Sequence, residues 1–224
     1  TPGISSAASD VYKRQFSIKG VRIIENDFVK KINSTESCVA SVELVSGKSI
    51  DVDSLLVATG GYPEVDLAKN AKLQIENGIK VNERLETNDP SIFAAGDCAS
   101  FCHNGVLLRL ESVGNAIDQG QTVALNIVGK KITFNAKPWF WSDQFDQKLQ
   151  IAGLCNGFTE IIERKIKDKV SFWYYKDEML IAVDAFNDPQ SYMIGKRLIE
   201  ENKSPNKEIL SDINLQVKDA LNIK

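Results

Sequence analysis

The chain has 224 residues, of which 43% are hydrophobic and 25% are charged. This composition is typical of globular domains and excludes a wholly disordered or collagen-like chain, and the length fits one to two domains. With 27 Lys and Arg residues against 30 Asp and Glu residues, the formal charge of −3 argues against a nucleic-acid-binding protein. No apolar run approaches the roughly 18 residues that a membrane-spanning helix needs.

The first quarter of the chain combines an irregular start with β-rich stretches. Residues 1–15 are small and polar without a hydrophobic period, so we expect a non-native or disordered leader. The residues that follow hold four β-rich stretches: Val21–Ile24, Asp27–Lys31, Ser37–Leu44 and Ser49–Val57. Within the last stretch, the apolar run Ser54–Ala58 is typical of a strand buried in a parallel sheet.

Short helical and strand-like segments alternate in the middle of the chain. They are a helix at Val65–Ala71, strands at Gly78–Val81 and Ser91–Ala95, and a loop at Cys98–Leu108. A longer helix begins after Ser112, a good N-cap residue, and is closed by Gly129. Its apolar residues fall at helical spacing, which predicts a stripe facing the core: Val113, Ala116, Ile117, Gly120, Ala124, Ile127 and Val128.

A change of composition at Pro138 marks the start of a region with α+β character. Strands are predicted at Leu149–Leu154, Thr159–Arg164, Val170–Tyr175 and Met179–Phe186, the last two joined as a hairpin. Helices are predicted at Ser191–Glu201 and Leu210–Leu221.

The segment Phe93–Asp97 is a first candidate for chemistry. A short apolar strand ends at Gly96, where a ligand can approach the backbone, and Asp97 follows at the strand's C-terminal edge. In open α/β sheets this edge is where ligands bind, and the Asp97 carboxylate can accept hydrogen bonds from sugar-like hydroxyls. A carboxylate that only caps a turn explains the same residues equally well.

The helix after Ser112 is a second candidate. Its first turn presents free backbone N–H groups at the positive end of the helix dipole. Such an end favours an anion, or the negative charge that a flavin gathers at its pyrimidine edge on reduction. The alternative is an ordinary capped helix, and Glu111 just before the cap is either a further carboxylate of this site or a solvated charge.

Aromatic and sulfur-containing residues complete the candidates. The cluster Trp139–Trp141 either anchors the core or forms a wall for a planar ligand or a partner protein. The chain has four cysteines, which form no CxxC pair, and His103 is its only histidine. We therefore expect reduced, buried thiols and no metal site.

Four segments of the sequence are similar to those of a known family: Ser54–Pro63, Phe93–Ala99, Arg109–Ala116 and Pro138–Gln144. The chain resembles the FAD-dependent ferredoxin or rubredoxin–NAD(P)⁺ reductases, the putidaredoxin reductase-like group of the pyridine nucleotide-disulfide oxidoreductase superfamily. The Ala-Ala-Gly-Asp element marks the wider superfamily, whereas the Arg-Leu-Glu-Ser and Pro-Trp-Phe-Trp-Ser-Asp-Gln elements are much narrower.

The resemblance implies an α/β fold, a partial doubly wound FAD/NAD(P)-binding fold followed by an α+β C-terminal reductase domain. Residues 16–57 would form the tail of the NAD(P)-binding domain. Residues 58–135 would form the C-terminal half of the FAD-binding domain, and residues 136–224 the reductase domain.

It also implies roles for residues around the cofactor. Asp97, next to Gly96, would bind the ribityl chain of FAD. Val113, with Ser112 before it, would turn its backbone N–H to the flavin pyrimidine edge. The pair Thr59-Gly60 would mark the return of the chain from the NAD domain to the FAD domain.

Two further residues would act in catalysis. Trp141 would lie beside the isoalloxazine, near the point where the iron–sulfur partner docks, and Glu111 would border the nicotinamide pocket. The implied enzyme passes electrons from NAD(P)H through FAD to a [2Fe–2S] ferredoxin or a rubredoxin that serves an oxygenase or P450. The resemblance further implies a monomer located in the cytoplasm, without contact to nucleic acid or membrane.

The chain departs from the family in one important respect. It contains neither the strand–GxGxxG–helix that holds the FAD pyrophosphate nor the second glycine-rich turn for NAD(P). We therefore expect a C-terminal fragment that binds FAD weakly or not at all and is inactive alone. The alternatives are a flavin NADH oxidase or apoptosis-inducing-factor-like protein, and a non-catalytic remnant that binds a partner.

Overall fold

The computed structural model describes residues 6–221, and these form two compact units. One unit comprises Asp10–Tyr62, and the other comprises the described residues outside that range. Helix α1 (Ser6–Ile18) opens the described chain, so residues 6–15 are helical and the disordered alternative for the leader is wrong there. That the leader is non-native stays a prediction, and residues 1–5 lie outside the described residues. Among the described side chains of this helix, only Ala8 and Tyr12, one turn apart, are buried, which is too few for a visible hydrophobic period.

The smaller unit contains a three-stranded antiparallel sheet. Strands β1 (Val29–Thr35), β2 (Cys38–Leu44) and β3 (Ser49–Asp51) follow one another in the order β1-β2-β3. The turn between β2 and β3 contains Gly47 with a φ of +86°, as the turn signal in the sequence predicts.

One predicted strand in this unit, and the second half of another, are absent. Neither Val21–Ile24 nor Ser54–Ala58 is a strand, and the Leu56 and Val57 side chains are 89% and 65% exposed. An apolar run becomes a strand only beside a hydrogen-bonding neighbour. Among residues 6–221, no strand pairs with either segment.

The larger unit begins with α2 (Asp66–Asn70), β4 (Ile79–Lys80), β5 (Ala99–His103), β6 (Val106–Leu108) and α3 (Val113–Ile127). Strand β4 runs parallel to β5, and β5 pairs antiparallel with β6. The predicted strand Ser91–Ala95 is reduced to a single bridge between Glu86 and Phe93, and a 3-10 turn at Gly96–Cys98 leads into β5.

The predicted loop Cys98–Leu108 is wrong, because it contains the β5–β6 hairpin. Its turn is Asn104-Gly105, with φ angles of +50° and +79°. Asn-Gly is the strongest short hairpin signal in a sequence, so this element could have been predicted.

Helix α3 has the predicted ends but not the predicted face. Ser112 is its N-cap, and Gly129 follows its end with a φ of +82°. The apolar side chains of Val113 and Ile117 are 57% and 54% exposed, whereas the polar face is buried: Asn115, Gln119 and Thr122. These polar side chains bind backbone groups, so the polar face can be buried, and the core-facing stripe is corrected to an exposed one.

The C-terminal part of the larger unit is an antiparallel sheet covered by helices. Its elements are β7 (Trp139–Gln144), β8 (Gln147–Gly153), β9 (Glu160–Ile166), β10 (Lys169–Lys176), β11 (Met179–Phe186), α4 (Pro189–Glu200) and α5 (Lys207–Ser211). The strand order is β7-β8-β11-β10-β9. The sequence predictions for β8 to β11 and α4 are confirmed, and Met179–Phe186 has the predicted ends.

Helix α4 packs closely on this sheet. A Cβ atom at Gly195 would lie 2.5 Å from Val183 Cγ2 of β11, so the glycine permits the close approach. The core on this side consists of Ile162, Trp173, Tyr175, Leu180, Val183, Ile194, Leu198, Leu210 and Val217.

The predicted helix Leu210–Leu221 is wrong as one element. Helix α5 ends at Ser211, and a 3-10 turn spans Val217–Leu221. The buried Arg164 guanidinium of β9 donates to the carbonyl oxygens of Leu210, Asp212 and Leu215. Because these carbonyl oxygens accept from Arg164, they do not accept from N–H groups of a continuing helix. The predicted helix Leu210–Leu221 is therefore interrupted.

Candidate functional site

A shallow cleft of about 540 Å³ lies where the 3-10 turn Gly96–Cys98 meets the first turn of α3. This volume is within the range of small-molecule sites. The residues lining it are Asp97, Glu111, Ser112, Val113, Ala116 and Ile117. Four of the six, namely Asp97, Glu111, Ser112 and Val113, are site residues that the sequence predicts.

Gly96 brings the backbone against α3. It is buried, and its φ of +81° is a conformation that other residues rarely adopt. Its N–H donates to Gln119 Oε1 at 2.7 Å, and a Cβ atom here would lie 3.6 Å from Ala116 Cβ. Asp97 is therefore held at the mouth of the cleft, where it is exposed.

The first turn of α3 closes the other side of the cleft. Ser112 has extended backbone angles, and its Oγ accepts from the N–H of Asn115 at 3.3 Å. An α-helix leaves its first N–H groups without a partner inside the helix, and the dipole makes this end positive. The N-terminus of α3 can therefore stabilise negative charge on a ligand in the cleft.

Glu111 is ion-paired with Arg109, a residue to which the sequence analysis gave no role. Arg109 is 6% exposed, and its Nη1 also donates to the carbonyl oxygen of Asp97 at 2.7 Å. The Arg-Leu-Glu-Ser motif that begins at Arg109 carries part of the family resemblance. The sequence alone does not show whether its arginine is buried or solvated, so it gave no role to Arg109.

The aromatic wall predicted at Trp139–Trp141 is beside α3. The two tryptophan rings stack with centroids 5.3 Å apart and planes 24° apart, and Trp141 is 45% exposed. A Cβ atom at Gly114, in the first turn of α3, would lie 2.5 Å from Trp139 Nε1. The Trp139 ring therefore lies between Trp141 and the first turn of α3. Phe140 packs against the core.

The remaining predicted site residues lie in the smaller unit. Thr59 and Gly60 are in an exposed segment without regular structure, and Gly60 has a φ of +93°. Their role remains a prediction.

The residues of the cleft fit the flavin end of FAD. An exposed apolar pair on α3, Val113 and Ile117, suits a planar ring, and the Asp97 carboxylate suits a polyol. Two buried amide atoms behind the cleft, Asn115 Oδ1 and Gln119 Nε2, have no hydrogen-bond partner within residues 6–221. Both atoms belong to the buried face of α3, opposite the exposed Val113 and Ile117, so they do not contribute to the fit of a ligand in the cleft.

The cysteines differ from the expectation of buried thiols. Cys38 and Cys102 are exposed, and Cys98 and Cys155 are half-buried. All four are free, and burial together with the nearby Asp184 raises the pKa of the Cys155 thiol. Among the described residues, no group of three or more metal-ligating side chains comes together, and no helix is long and apolar enough to cross a membrane.

The chain matches models of two known protein families. A model of the pyridine nucleotide-disulphide oxidoreductase family matches residues 1–120, and a model of the reductase C-terminal family matches residues 139–221. Rhodocoxin reductase of Rhodococcus erythropolis is 33% identical over 97% of this chain and 52% of its own length. Putidaredoxin reductase CamA of Pseudomonas putida is 33% identical over 85% of this chain and 46% of its own length.

Solved structures of reductases are also similar to this chain. The ferredoxin reductase for the CYP199A2 system from Rhodopseudomonas palustris aligns with a TM-score of 0.92 at 33% identity, over 97% of this chain and 55% of that one. Putidaredoxin reductase in its covalent complex with putidaredoxin aligns with a TM-score of 0.91 at 31% identity, over 97% and 54%. The chain spans about half the length of the curated relatives it matches.

Proposed function

Because the chain belongs to the pyridine nucleotide-disulphide oxidoreductase family, we propose that it is the C-terminal part of an FAD-dependent NAD(P)H:ferredoxin or rubredoxin oxidoreductase. The observation that carries the proposal is the cleft between Asp97 and the first turn of α3. Trp139 packs against Gly114 of the same turn, and the exposed Trp141 stacks on Trp139. The names of the relatives, which include rhodocoxin and putidaredoxin reductases, support the acceptor class.

In this proposal the chain supplies one wall of the flavin site. Asp97 accepts hydrogen bonds from the ribityl hydroxyls of FAD and so retains it. The backbone N–H of Val113 faces the pyrimidine edge, where the α3 dipole stabilises the negative charge of the reduced ring. When bound, FAD supplies the redox chemistry, since it takes a hydride from NAD(P)H and gives up electrons one at a time.

Trp141 and Glu111 have different tasks. The exposed indole of Trp141 would lie beside the isoalloxazine, on the side where an iron–sulfur protein would dock. Glu111 borders the place of the nicotinamide, and its pairing with Arg109 keeps its charge compensated. Residues 16–57 belong in this proposal to the NAD(P)-binding domain, residues 58–135 to the FAD-binding domain and residues 136–224 to the reductase domain of a cytoplasmic monomer.

The acceptor distinguishes this proposal from an oxidase. The complete protein that contains this chain is purified and reduced with NADH or NADPH in the absence of oxygen. It is then mixed in a stopped-flow instrument with one of three oxidants: an oxidised [2Fe–2S] ferredoxin, an oxidised rubredoxin or dioxygen. We expect faster reoxidation by an iron–sulfur protein than by dioxygen. Faster reoxidation by dioxygen would favour the oxidase alternative and refute the proposed acceptor class.

A further inference from the structure

Arg109 connects three separate segments of the larger unit. Its Nε donates to the carbonyl oxygen of Asn77 at 3.0 Å, and its Nη1 donates to the carbonyl oxygen of Asp97 at 2.7 Å and to the carboxylate of Glu111. Only 6% of the residue is exposed. A guanidinium is buried at this level only where acceptors replace its hydration, and here three of them do.

The backbone around Arg109 is shaped to its side chain. Asn77 has a φ of +52° and Gly78 a φ of +130°. A Cβ atom at Gly78 would lie 3.0 Å from Arg109 Cδ and 2.6 Å from the carbonyl oxygen of Cys98. This turn therefore requires a glycine where it passes over the arginine. The requirement indicates that the backbone is specifically shaped to hold the Arg109 side chain.

Two of the three acceptors belong to residues that line the cleft, Asp97 and Glu111. By holding the Asp97 carbonyl, Arg109 fixes the backbone that carries the Asp97 side chain. By pairing with Glu111, it compensates a carboxylate that stands directly before the N-terminus of α3. An uncompensated carboxylate there would oppose the negative charge that a flavin gathers on reduction.

We infer that Arg109 is a positioning residue of the flavin site, which sets both the retention of FAD through Asp97 and its reduction potential through Glu111. The inference rests on the proposed function. Arg109 acts through its two neighbours and does not itself touch the flavin.

The test uses the complete protein in four forms: unaltered, Arg109→Met, Arg109→Lys and Arg164→Met. Lysine keeps the charge, but its single nitrogen cannot occupy the separate positions of Arg109 Nε and Nη1, which contact the acceptors in this site. Arg164 is the matched control, since it is another arginine, 2% exposed, that donates to backbone carbonyls, in β9. For each form the dissociation constant of FAD, the flavin absorption spectrum, the midpoint potential and the melting temperature are measured.

We expect Arg109→Met to weaken FAD binding about tenfold, because the displaced Asp97 carboxylate would lose one charge-assisted hydrogen bond to FAD. The midpoint potential should move to more negative values. Arg109→Lys should restore the potential but only part of the affinity. Arg164→Met should lower the melting temperature and leave the spectrum and the potential unchanged, because its acceptors are carbonyls of the C-terminal segment.

A double substitution separates electrostatics from general destabilisation. Glu111→Gln removes the carboxylate that Arg109 compensates, so Arg109→Met combined with Glu111→Gln should return the potential toward that of the unaltered protein. A potential that stays as negative as in Arg109→Met alone would overturn the inference. Unchanged FAD affinity and potential in Arg109→Met would overturn it as well, whereas an unaltered protein that holds no FAD would refute the proposed function itself.

Discussion

Asp97 stands at the mouth of the cleft because the residue before it adopts a backbone conformation with positive φ. Gly96 is buried against α3 and held by Gln119, so the chain turns sharply and leaves the next side chain exposed. The carboxylate is thus presented by backbone geometry, and its chemistry is that of a strong hydrogen-bond acceptor for hydroxyl groups.

Replacement of Asp97 tests this residue directly. In the complete protein, Asp97→Ala should weaken FAD retention by about tenfold or more, because ribityl hydroxyls lose a charge-assisted acceptor. The flavin-to-protein ratio after gel filtration measures the loss. Asp66→Ala, at an exposed aspartate of α2, is the matched control and should leave the ratio unchanged. An Asp97→Ala protein with full flavin content would remove Asp97 from the site.

Trp141 is expected to affect one half-reaction more than the other. Trp141→Ala should slow electron transfer to the iron–sulfur partner about tenfold or more, while reduction of the flavin by NAD(P)H changes less, because the exposed indole is on the proposed exit side. Stopped-flow measurements of the two half-reactions give the comparison. Phe28→Ala, at an aromatic residue that is 75% exposed, serves as the control. Equal slowing of both half-reactions would contradict an exit role.

Tyr175 gives the fold a predictable dependence on pH. Its hydroxyl donates to the carbonyl oxygen of Pro205 at 3.0 Å. Burial, together with Glu160 and Glu178, raises the pKa of the Tyr175 hydroxyl far above its ordinary value of 10.0. Because the folded state holds this proton more tightly than the unfolded state, the stabilisation is complete below pH of about 10 and decreases as the pH rises further.

Urea unfolding of the 224-residue chain at pH 7 and above pH 10 measures this effect. Tyr175→Phe should lower the unfolding free energy by about 1 kcal/mol at pH 7, through loss of the hydrogen bond, and should flatten the decline at alkaline pH. Tyr62→Phe, at a tyrosine that is 100% exposed, should change neither value. The same alkaline decline with and without the Tyr175 hydroxyl would show that another group causes it.

At the scale of single elements, two glycines inside helices have opposite surroundings. Gly195 of α4 faces Val183, and a Cβ atom added there would lie 2.5 Å from Val183 Cγ2, whereas a Cβ atom at Gly120 of α3 would meet no atom within 4 Å. Alanine favours a helix over glycine by about 1 kcal/mol. Overpacking of a close contact costs about 1–3 kcal/mol, so it outweighs that gain at Gly195 only.

Alanine at these two positions therefore tests the packing of α4. In the 224-residue chain, Gly195→Ala should lower the unfolding free energy by about 1–2 kcal/mol, and Gly120→Ala should raise it by up to about 1 kcal/mol. Chemical denaturation of the two variants and the unaltered chain provides the values. A Gly195→Ala chain as stable as Gly120→Ala would contradict the close approach of α4 to β11.

Local signals in the sequence are enough to predict some elements. The strands β8 to β11 follow from apolar and β-branched runs separated by turns, and α3 and α4 begin near good cap residues, Ser112 and Asp188. Asp97, Ser112 and Val113 are located in the same way, since a strand end, a cap and a helix start are local features. The structure brings these three residues together around one cleft, and their roles toward a flavin stay a prediction.

Other elements depend on contacts that local signals do not contain. The apolar run Ser54–Ala58 has no pairing strand among residues 6–221, and the apolar stripe of α3 is exposed because polar side chains bind the backbone behind it. Arg109 and Arg164 were missed, since their roles depend on carbonyl groups many positions away along the chain. Burial of a charged side chain is decided by such distant partners.

At the scale of the whole molecule, each of the two units exposes large apolar side chains. Val113 and Ile117 on α3, and Leu56 and Val57 in the smaller unit, are large apolar side chains in exposed positions. Val113 and Ile117, one turn apart on α3, form an exposed apolar pair of the kind that binds a ligand or another part of a protein. The chain also spans about half the length of its curated relatives.

We propose that this chain supplies one wall of the flavin site of a larger reductase and needs the remaining half of that protein to retain FAD. One equilibrium titration of FAD, followed by flavin fluorescence, tests it on the complete protein and on the 224-residue chain side by side. We expect one tightly held FAD in the complete protein and weak or no binding by the chain alone. A complete protein without affinity for FAD, or a 224-residue chain that holds FAD tightly in equal stoichiometry, would contradict it.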